Sequence, residues 1–446
     1  MNKSKRFLAA TVAVALLGSL GAQAANINWI GPNDSFWDLP ENWNPALPGA
    51  DDDALLGGFD TTFRSGSVSI QSLNGAGTLG VTGGTLSFTN ASAVGGFSMS
   101  AGQLTGAGNL TVSGPASFAV GALSGLGTTT VQGTTTISGT GLRLDGGRTF
   151  RNEGTLTQTG DVDMNARRSG ADEAGNGTVL NAASGIWTSD RAAGINYIRA
   201  SDQGGTDDGA GAVFSNAGTF NKTGAGTTEV RTTLDNTGTL NVNAGTLRVT
   251  SAFDNQGTVN TAAGATFAST ITTANLQNHG TLQGTGTYDP GATQAVENFG
   301  QVQPGTVTSV GQLLIAGDYT QNAAGLIEFN LASLLDFDKL DVIGNLSLDG
   351  TLRVSSLGGY NPNDGDAFTI ISFDDGDADA SDLAGVFSSL SWMGFDSRVS
   401  FTAQYLDHSV VLNAAVNPVP LPGAIWLLGT GVGGIVVMSR RRRRPQ

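Results

Sequence analysis

Residues able to do acid–base or metal chemistry are few in this chain of 446: two histidines, no cysteine, and 37 carboxylates against 22 lysines and arginines. The lack of thiols removes disulfides, thiolate zinc sites and a cysteine nucleophile from consideration. His279 stands between Asn278 and Gly280, and His408 follows Asp407; neither has the neighbours that would suggest a catalytic triad or a metal cluster. Glycoside hydrolysis needs two carboxylates flanking one bond, and a polysaccharide lyase favours a basic residue beside the substrate carboxylate. Nothing in linear order points to such a carboxylate pair, and between the termini the only lysines are Lys222 and Lys339. The run Asp374-Asp375-Gly376-Asp377-Ala378-Asp379 and the stretch Asn361-Pro362-Asn363-Asp364-Gly365-Asp366 offer oxygens to calcium. Neither has EF-hand spacing or a closing glutamate, so both are expected to be solvated loops and no cofactor is assigned.

Any such groups must be carried by β-structure. The chain has 66 glycines, 13% charged residues and 39% apolar residues, and the apolar residues fall in short alternating runs that can pack. Disorder would need low hydrophobicity with high net charge. The formal charge is −15; without the eight basic residues Lys3, Lys5, Arg6 and Arg440 to Arg444 the body would carry about −23. That acidity disfavours nucleic acid and anionic lipid as partners and suits solubility outside the cell.

The middle of the chain repeats the unit apolar-x-Asn-x-Gly-Thr-apolar: Phe150 to Leu156, Phe214 to Phe220, Leu234 to Leu240, Phe253 to Val259, Leu276 to Leu282, and Val296 to Val302 with Gln301 in place of threonine. The motif asparagines are Asn152, Asn216, Asn236, Asn255, Asn278 and Asn298, and from Asn216 onward they are 20, 19, 23 and 20 residues apart. A period of that length belongs to solenoids. The flanking apolar residues are expected to point into a core, with Asn-x-Gly bending the chain between two short strands. Glycine would supply positive φ there, asparagine would tolerate the left-handed region, and stacked asparagines could form a ladder. The expected fold is all-β, a right-handed parallel β-helix with a C-terminal β cap region, an N-terminal signal helix and a C-terminal transmembrane helix.

Weaker Gly-Thr-rich coils, such as Gly77-Thr78-Leu79 and Gly84-Thr85-Leu86, extend the solenoid back to Ser67, so repeats are expected over 67–310. The segment 162–208 breaks the period, carries Arg167, Arg168, Asp172, Glu173, Asp207 and Asp208, and is expected to be a lateral insertion. A solenoid end exposes strand edges and needs a cap. Residues 25–66, with Trp29, Trp37 and Trp43, are assigned that role; the rival reading of these tryptophans is sugar stacking.

The two ends read as addresses. Lys3, Lys5 and Arg6, an apolar stretch from Phe7 to about Leu20, and Ala22-Gln23-Ala24 form a signal-peptide pattern over 1–24, with Ala22 and Ala24 as the small residues a signal peptidase needs. At the other end Val419-Pro420-Leu421-Pro422-Gly423-Ala424 leads into an apolar run to Met438 and then into Arg440, Arg441, Arg442, Arg443 and Arg444. As a helix the 16 residues Gly423 to Met438 would span about 24 Å, short of a hydrocarbon core of about 30 Å, as befits a temporary anchor. Both basic clusters would stay in the cytoplasm, which places everything from Ala25 to Pro418 outside.

Residues 417–446 resemble the PEP-CTERM sorting signal, on Pro420-x-Pro422, the apolar segment and the arginine end; the usual glutamate between the prolines is Leu421. The resemblance implies recognition by an exosortase-type processing enzyme in a Gram-negative bacterium that makes extracellular polysaccharide, with transient residence in the inner membrane before the cell surface or matrix. Residues 311–416, with Gly317-Asp318-Tyr319-Thr320-Gln321, Phe337 to Val342 and Leu348-Asp349-Gly350-Thr351-Leu352, resemble the region that closes autotransporter-type β-helices, which implies strands with a packing role and no chemistry. The expectation is therefore an exported structural or adhesive protein of the cell surface or matrix, associated with exopolysaccharide or biofilm, and not an enzyme. Its expected partners are signal peptidase, an exosortase-type enzyme and extracellular polysaccharide. The alternative is a polysaccharide-active lyase or glycosidase on the same β-helix.

Overall fold

Alternation of apolar and polar residues in runs of three to six, punctuated by glycine, can bury one side of a strand but leaves too few apolar residues for an amphipathic helix. The computed structural model bears this out over the residues it describes, 25–31, 34–166, 174–201, 209–374, 376 and 382–418, where the only helix is the 3-10 turn Pro40–Asn42 and the rest is short strands and corners. The fold is all-β, with long parallel sheets in a β-helix-like arrangement. Two compact units are present: the described residues up to Phe150 together with 165–166 and 174–177, and Arg151–Met164 with Thr178–Ser201 and the described residues from Gly209 on.

In the first unit Ala25–Trp29 pairs in parallel with Asp52–Gly57 and antiparallel with Trp43–Asn44. The three tryptophans assigned to a cap are buried together. Trp43 meets Trp29 edge-on at 4.9 Å and Trp37 at 4.7 Å, its indole N–H donates to the Trp37 carbonyl at 2.9 Å, and Trp37 packs on Phe63 at 5.9 Å. At 5%, 2% and 3% exposure these rings have no face to offer a sugar, which removes the basis for sugar stacking on them. Beyond the cap, strands stack at intervals of about 19 residues, as in Thr85–Phe88 on Ser67–Ile70. Gly95, Gly114 and Gly133 occupy equivalent corners; a Cβ on Gly114 would lie 2.3 Å from the Gly95 carbonyl, and one on Gly133 would lie 2.2 Å from the Gly114 carbonyl. Arg148 is fully buried and donates to the carbonyls of Gly106 and Gly108 at 3.2 Å and to the Thr129 hydroxyl at 3.0 Å. Burial lowers its guanidinium to about 10.

The second unit explains the asparagine motif. One coil consists of Thr233–Asn236, Thr239–Val242 and Thr246–Val249, each with alternate residues inward. Each strand pairs in register with its counterpart in the coils before and after, so that Leu234 lies over Phe214 and under Phe253, and Leu240 lies between Phe220 and Val259. The motif asparagine ends the first strand of each coil with its side chain inward and buried. Asn152 Nδ2 donates to Asn181 Oδ1 at 2.8 Å, Asn181 to Asn216 at 2.8 Å, and Asn216 to Asn236 at 2.8 Å. The run continues through Asn255 at 2.8 Å, Asn278 at 2.7 Å and Asn298 at 2.7 Å to Gln321 Oε1 at 2.9 Å. The second Nδ2 proton finds backbone carbonyls, as from Asn278 to Gly280 and Gln301, both at 3.1 Å, which fixes the orientation of each amide. The two N–H groups after the asparagine converge on the asparagine carbonyl one coil back; Phe299 and Gly300 donate to Asn278 at 2.8 and 2.9 Å.

The expected reason for the motif glycine is corrected. Gly218, Gly238, Gly257, Gly280 and Gly300 are absent from the positive-φ residues, and the asparagines lie in strands; among described residues only Asn165 has positive φ without being glycine. What demands glycine is close approach. A Cβ on Gly257 would stand 2.1 Å from the Gly238 carbonyl oxygen, and one on Gly280 would stand 2.0 Å from that of Gly257. Positive φ is needed at a different corner, between the second and third strands, where Gly245 has φ of 65°.

Two expected boundaries also move. Residues 162–208 are not one lateral insertion: Thr178–Asn181, Ile186–Ser189 and Ile195–Ala200 form a full coil paired in register with Val213–Asn216, Thr219–Lys222 and Thr227–Val230. Its corner reads Asn181-Ala182-Ala183-Ser184-Gly185, two residues longer than the motif, which hides it from the repeat. Of the charged residues placed there, Arg167, Arg168, Asp172, Glu173, Asp207 and Asp208 lie outside the described residues. Nor does the parallel stack stop at 310. Gln312–Ile315, Lys339–Val342 and Ala367–Phe373 continue one face, and Leu326–Leu331, Thr351–Ser356 and Ser389–Met393 another. Leu348 takes the position after Gln321, so the ladder ends while the coils go on. Val399–Leu406 and Ser409–Val416 depart from this, forming an antiparallel hairpin on Ala367–Phe373 that closes the stack.

Candidate functional site

The residues assigned to processing, Ala22 and Ala24 at the N-terminus and Val419, Pro420, Pro422 and Arg440 to Arg444 at the C-terminus, lie outside the described residues, as do the signal helix and the apolar segment 423–438. Among the described residues no helix is long and apolar enough to cross a membrane.

Among the described residues, three places in the second unit bring several chemistry-bearing side chains together. On the third face, Val162–Met164, Ile195–Ala200, Thr227–Val230 and Thr246–Val249 stack, and their outward residues form an alternating charge ladder. Arg199 pairs with Asp163 and, at 3.5 Å, with Asp161; Glu229 pairs with Arg231 and, at 3.1 Å, with Arg248. The Asp163 hydrogen bond holds the Arg199 guanidinium above its usual range, against the pull of its partial burial. Tyr197 lies between the guanidinium groups of Arg199, 4.8 Å from the ring centre, and Arg231, at 4.5 Å. Three arginines and three carboxylates neutralise each other here, so the face is no basic track for a polyanion.

The second place joins the corners after Gln301–Pro304 and Leu326–Leu331. Glu328 accepts from Ser355 Oγ at 2.6 Å, Gln301 Nε2 at 3.1 Å and Arg353. Asp338 accepts from the N–H groups of Gly311 and Asn330, both at 2.7 Å. Burial pushes the Asp338 carboxyl up to about 8 despite these two donors, and the Glu328 charge adds to the rise. Two carboxylates and an arginine suggest glycosidase chemistry. Asp338 is nevertheless 0% exposed and Glu328 is 8% exposed with its oxygens engaged, so the group ties loops together and does not face a substrate.

The third place lies at the closing end. Asp374 follows Ala367–Phe373, Asp382 precedes Leu383–Gly385, and His408 occupies the turn of the closing hairpin. One ligand-type atom from each of the three lies within 4.8 Å of the other two. Each backbone is held: Asp374 N–H donates to the Val342 carbonyl at 3.2 Å, the Asp382 carbonyl accepts from Leu346 N–H at 2.7 Å, and the His408 carbonyl accepts from Phe373 N–H at 3.2 Å. His408 Nδ1 is 3.5 Å from Asp382 Oδ2. Sequence order gave no hint of this meeting, since it depends on the antiparallel return of Ser409–Val416. His408, which has no such neighbours in linear order, is brought here beside Asp382 and Asp374 of the acidic run.

The other residues weighed for chemistry sit elsewhere. His279 stacks on Phe299 at 5.0 Å with Nδ1 3.7 Å from Asp254, on the exposed side of the ladder corner. Lys222, one of the two lysines a lyase could set beside a substrate carboxylate, is fully buried; its ammonium donates to the carbonyls of Gly224 and, at 3.2 Å, Ala244, and so caps a turn. Lys339 lies over the Phe337 ring at 5.0 Å. The stretch 361–366 folds on itself, with Asp366 accepting from Asn363 N–H at 2.7 Å. No protein-family model matches the chain, and no curated protein matches it.

Proposed function

We propose that this chain is an exported structural or adhesive protein of the bacterial cell surface or extracellular matrix, sorted by an exosortase-type system through its C-terminal tail and associated with exopolysaccharide or biofilm. The observation that carries this reading is the join of a stacked β-body to the tail of Pro420-x-Pro422, apolar segment and five arginines, a combination that needs an export route and a release step. In this reading the coil is a right-handed parallel β-helix, the hand that parallel crossovers take. The signal helix and the membrane segment 423–438 lie at its two ends, and signal peptidase cuts after Ala24. A scaffold role is supported by where the reactive side chains are spent: Lys222, Glu328, Asp338 and Arg148 all serve internal hydrogen bonds.

Cell fractionation tests the proposal. The full chain is expected in the outer fraction or medium in processed form, and a chain ending at Asn417 is expected to lose that distribution. Equal distribution of the two, or a cytosolic body, would remove the basis for the reading.

A further inference from the structure

We infer that Asp374, Asp382 and His408 form a binding site for a first-row divalent transition metal of the zinc or manganese type, which clips the closing hairpin to the last coil. The ligands come from three segments that meet only when the hairpin has folded back, and each is anchored by a backbone hydrogen bond. Two carboxylates converge on one imidazole, and the Asp382 side chain is only 1% exposed. The buried Asp382 carboxylate and the exposed Asp374 carboxylate lie on the same small cluster, where a cation between them would offset their like charge. His408 lies on the open side, and beside it a cleft of about 500 Å³ is lined by Asp341, Ile343, Ser372, Phe373, Asp374 and His408. Water could reach a bound ion through that cleft and complete its coordination.

The donor set selects the metal. One imidazole nitrogen with carboxylate oxygens suits zinc, manganese, iron or nickel, whereas calcium takes six to eight oxygens and gains little from histidine. Donors in a tetrahedral zinc site are about 3.4 Å apart; His408 Nδ1 and Asp382 Oδ2 are already 3.5 Å apart, and separations that reach 4.8 Å must close by about 1.4 Å. The exposed side chains of Asp374 and His408 can do this by rotation while Asp382 stays fixed. One Asp374 oxygen accepts from Gly376 N–H at 2.8 Å, which orients that carboxylate without a backbone change. The clip is independent of how the chain is exported.

The test uses the full chain, purified in mild detergent and stripped with chelator. Calorimetric titration with zinc, manganese and calcium chloride, and thermal unfolding with and without each ion, supply the readouts. One equivalent of zinc or manganese is expected to bind and raise the unfolding midpoint, with calcium much weaker. His408→Ala, whose side chain is half exposed and leaves the packing intact, should weaken binding on the order of 100-fold. His279→Ala should leave it unchanged. No saturable binding, equal loss in both histidine variants, or calcium binding as tight as zinc would each overturn the assignment. Asp382→Asn is the second variant: a folded protein that still binds zinc at full affinity would also refute it.

Discussion

Asn236→Ala removes one rung from the middle of the buried ladder. The side chain donates to Asn255 Oδ1 at 2.8 Å and, at longer range, to the carbonyls of Gly238 and Thr258, both at 3.4 Å, and it accepts from Asn216 Nδ2 at 2.8 Å. Truncation leaves an Asn216 N–H and one acceptor site of Asn255 sealed from water, while Asn216 keeps its contact with the Thr239 carbonyl at 3.2 Å and Asn255 keeps its bond to Asn278 at 2.7 Å. Each stranded group costs about 1–3 kcal/mol, and with the partial compensation the expected loss is about 3–4 kcal/mol. A second amide ladder supplies the control. Asn221, Asn241 and Asn260 stack on the outward side of the neighbouring strands at 3.0 and 3.4 Å, where water can replace a missing partner. Asn241→Ala should therefore cost no more than about 0.5 kcal/mol. Because a stacked coil is coupled mainly to its neighbours, the loss should be local. Hydrogen exchange should quicken over residues 233–249 and the adjoining coils, alongside a lowered urea midpoint. If the two variants cost the same within about 0.5 kcal/mol, burial is not what gives the inner ladder its weight, and the reasoning fails.

Two further outcomes follow from the same geometry. Gly257→Ala puts a methyl 2.1 Å from a backbone oxygen that cannot yield, whereas Gly264→Ala meets nothing within 4 Å and suffers only its φ of 76°; the first should cost well over the roughly 1–2 kcal/mol expected of the second, read from denaturation midpoints. Asp338 has a folded-state carboxyl raised from 3.8 to about 8, so its contribution to stability is fully present below pH about 4 and is lost as pH rises toward and through 8. Thermal midpoints between pH 5 and 9 should fall with a slope that Asp338→Asn abolishes; an unchanged slope in the variant would assign the dependence to other groups.

How much of this was legible beforehand can be judged residue by residue. The spacing of Asn216, Asn236, Asn255, Asn278 and Asn298 announced a stack with one rung per coil, because an inward polar side chain in an apolar alternation has few ways to be satisfied other than by its own copy next door. Trp29, Trp37 and Trp43 announced an apolar cluster near the start of the body, because rings of that size rarely stay exposed without a partner, and they are buried against one another. The glycine after each asparagine was visible but its reason was not, since whether it serves dihedral freedom or clearance depends on how near the previous coil lies. Asn181 and Gln321 were missed as rungs because each is followed by a corner two residues longer, and only pairing across coils shows that the register survives the extra length.

Local alternation and period are properties of neighbours along the chain, and they determined that this protein is all-β, coiled, and threaded by asparagines. Meetings between segments far apart in sequence were decided by the tertiary structure alone: the buried Arg148 reaching carbonyls 40 and 42 residues away, and His408 turning back onto Asp374 and Asp382. A strand carries its inward pattern in its own residues, but which strand will lie beside it, and in which direction, is set by the free energy of the whole stack.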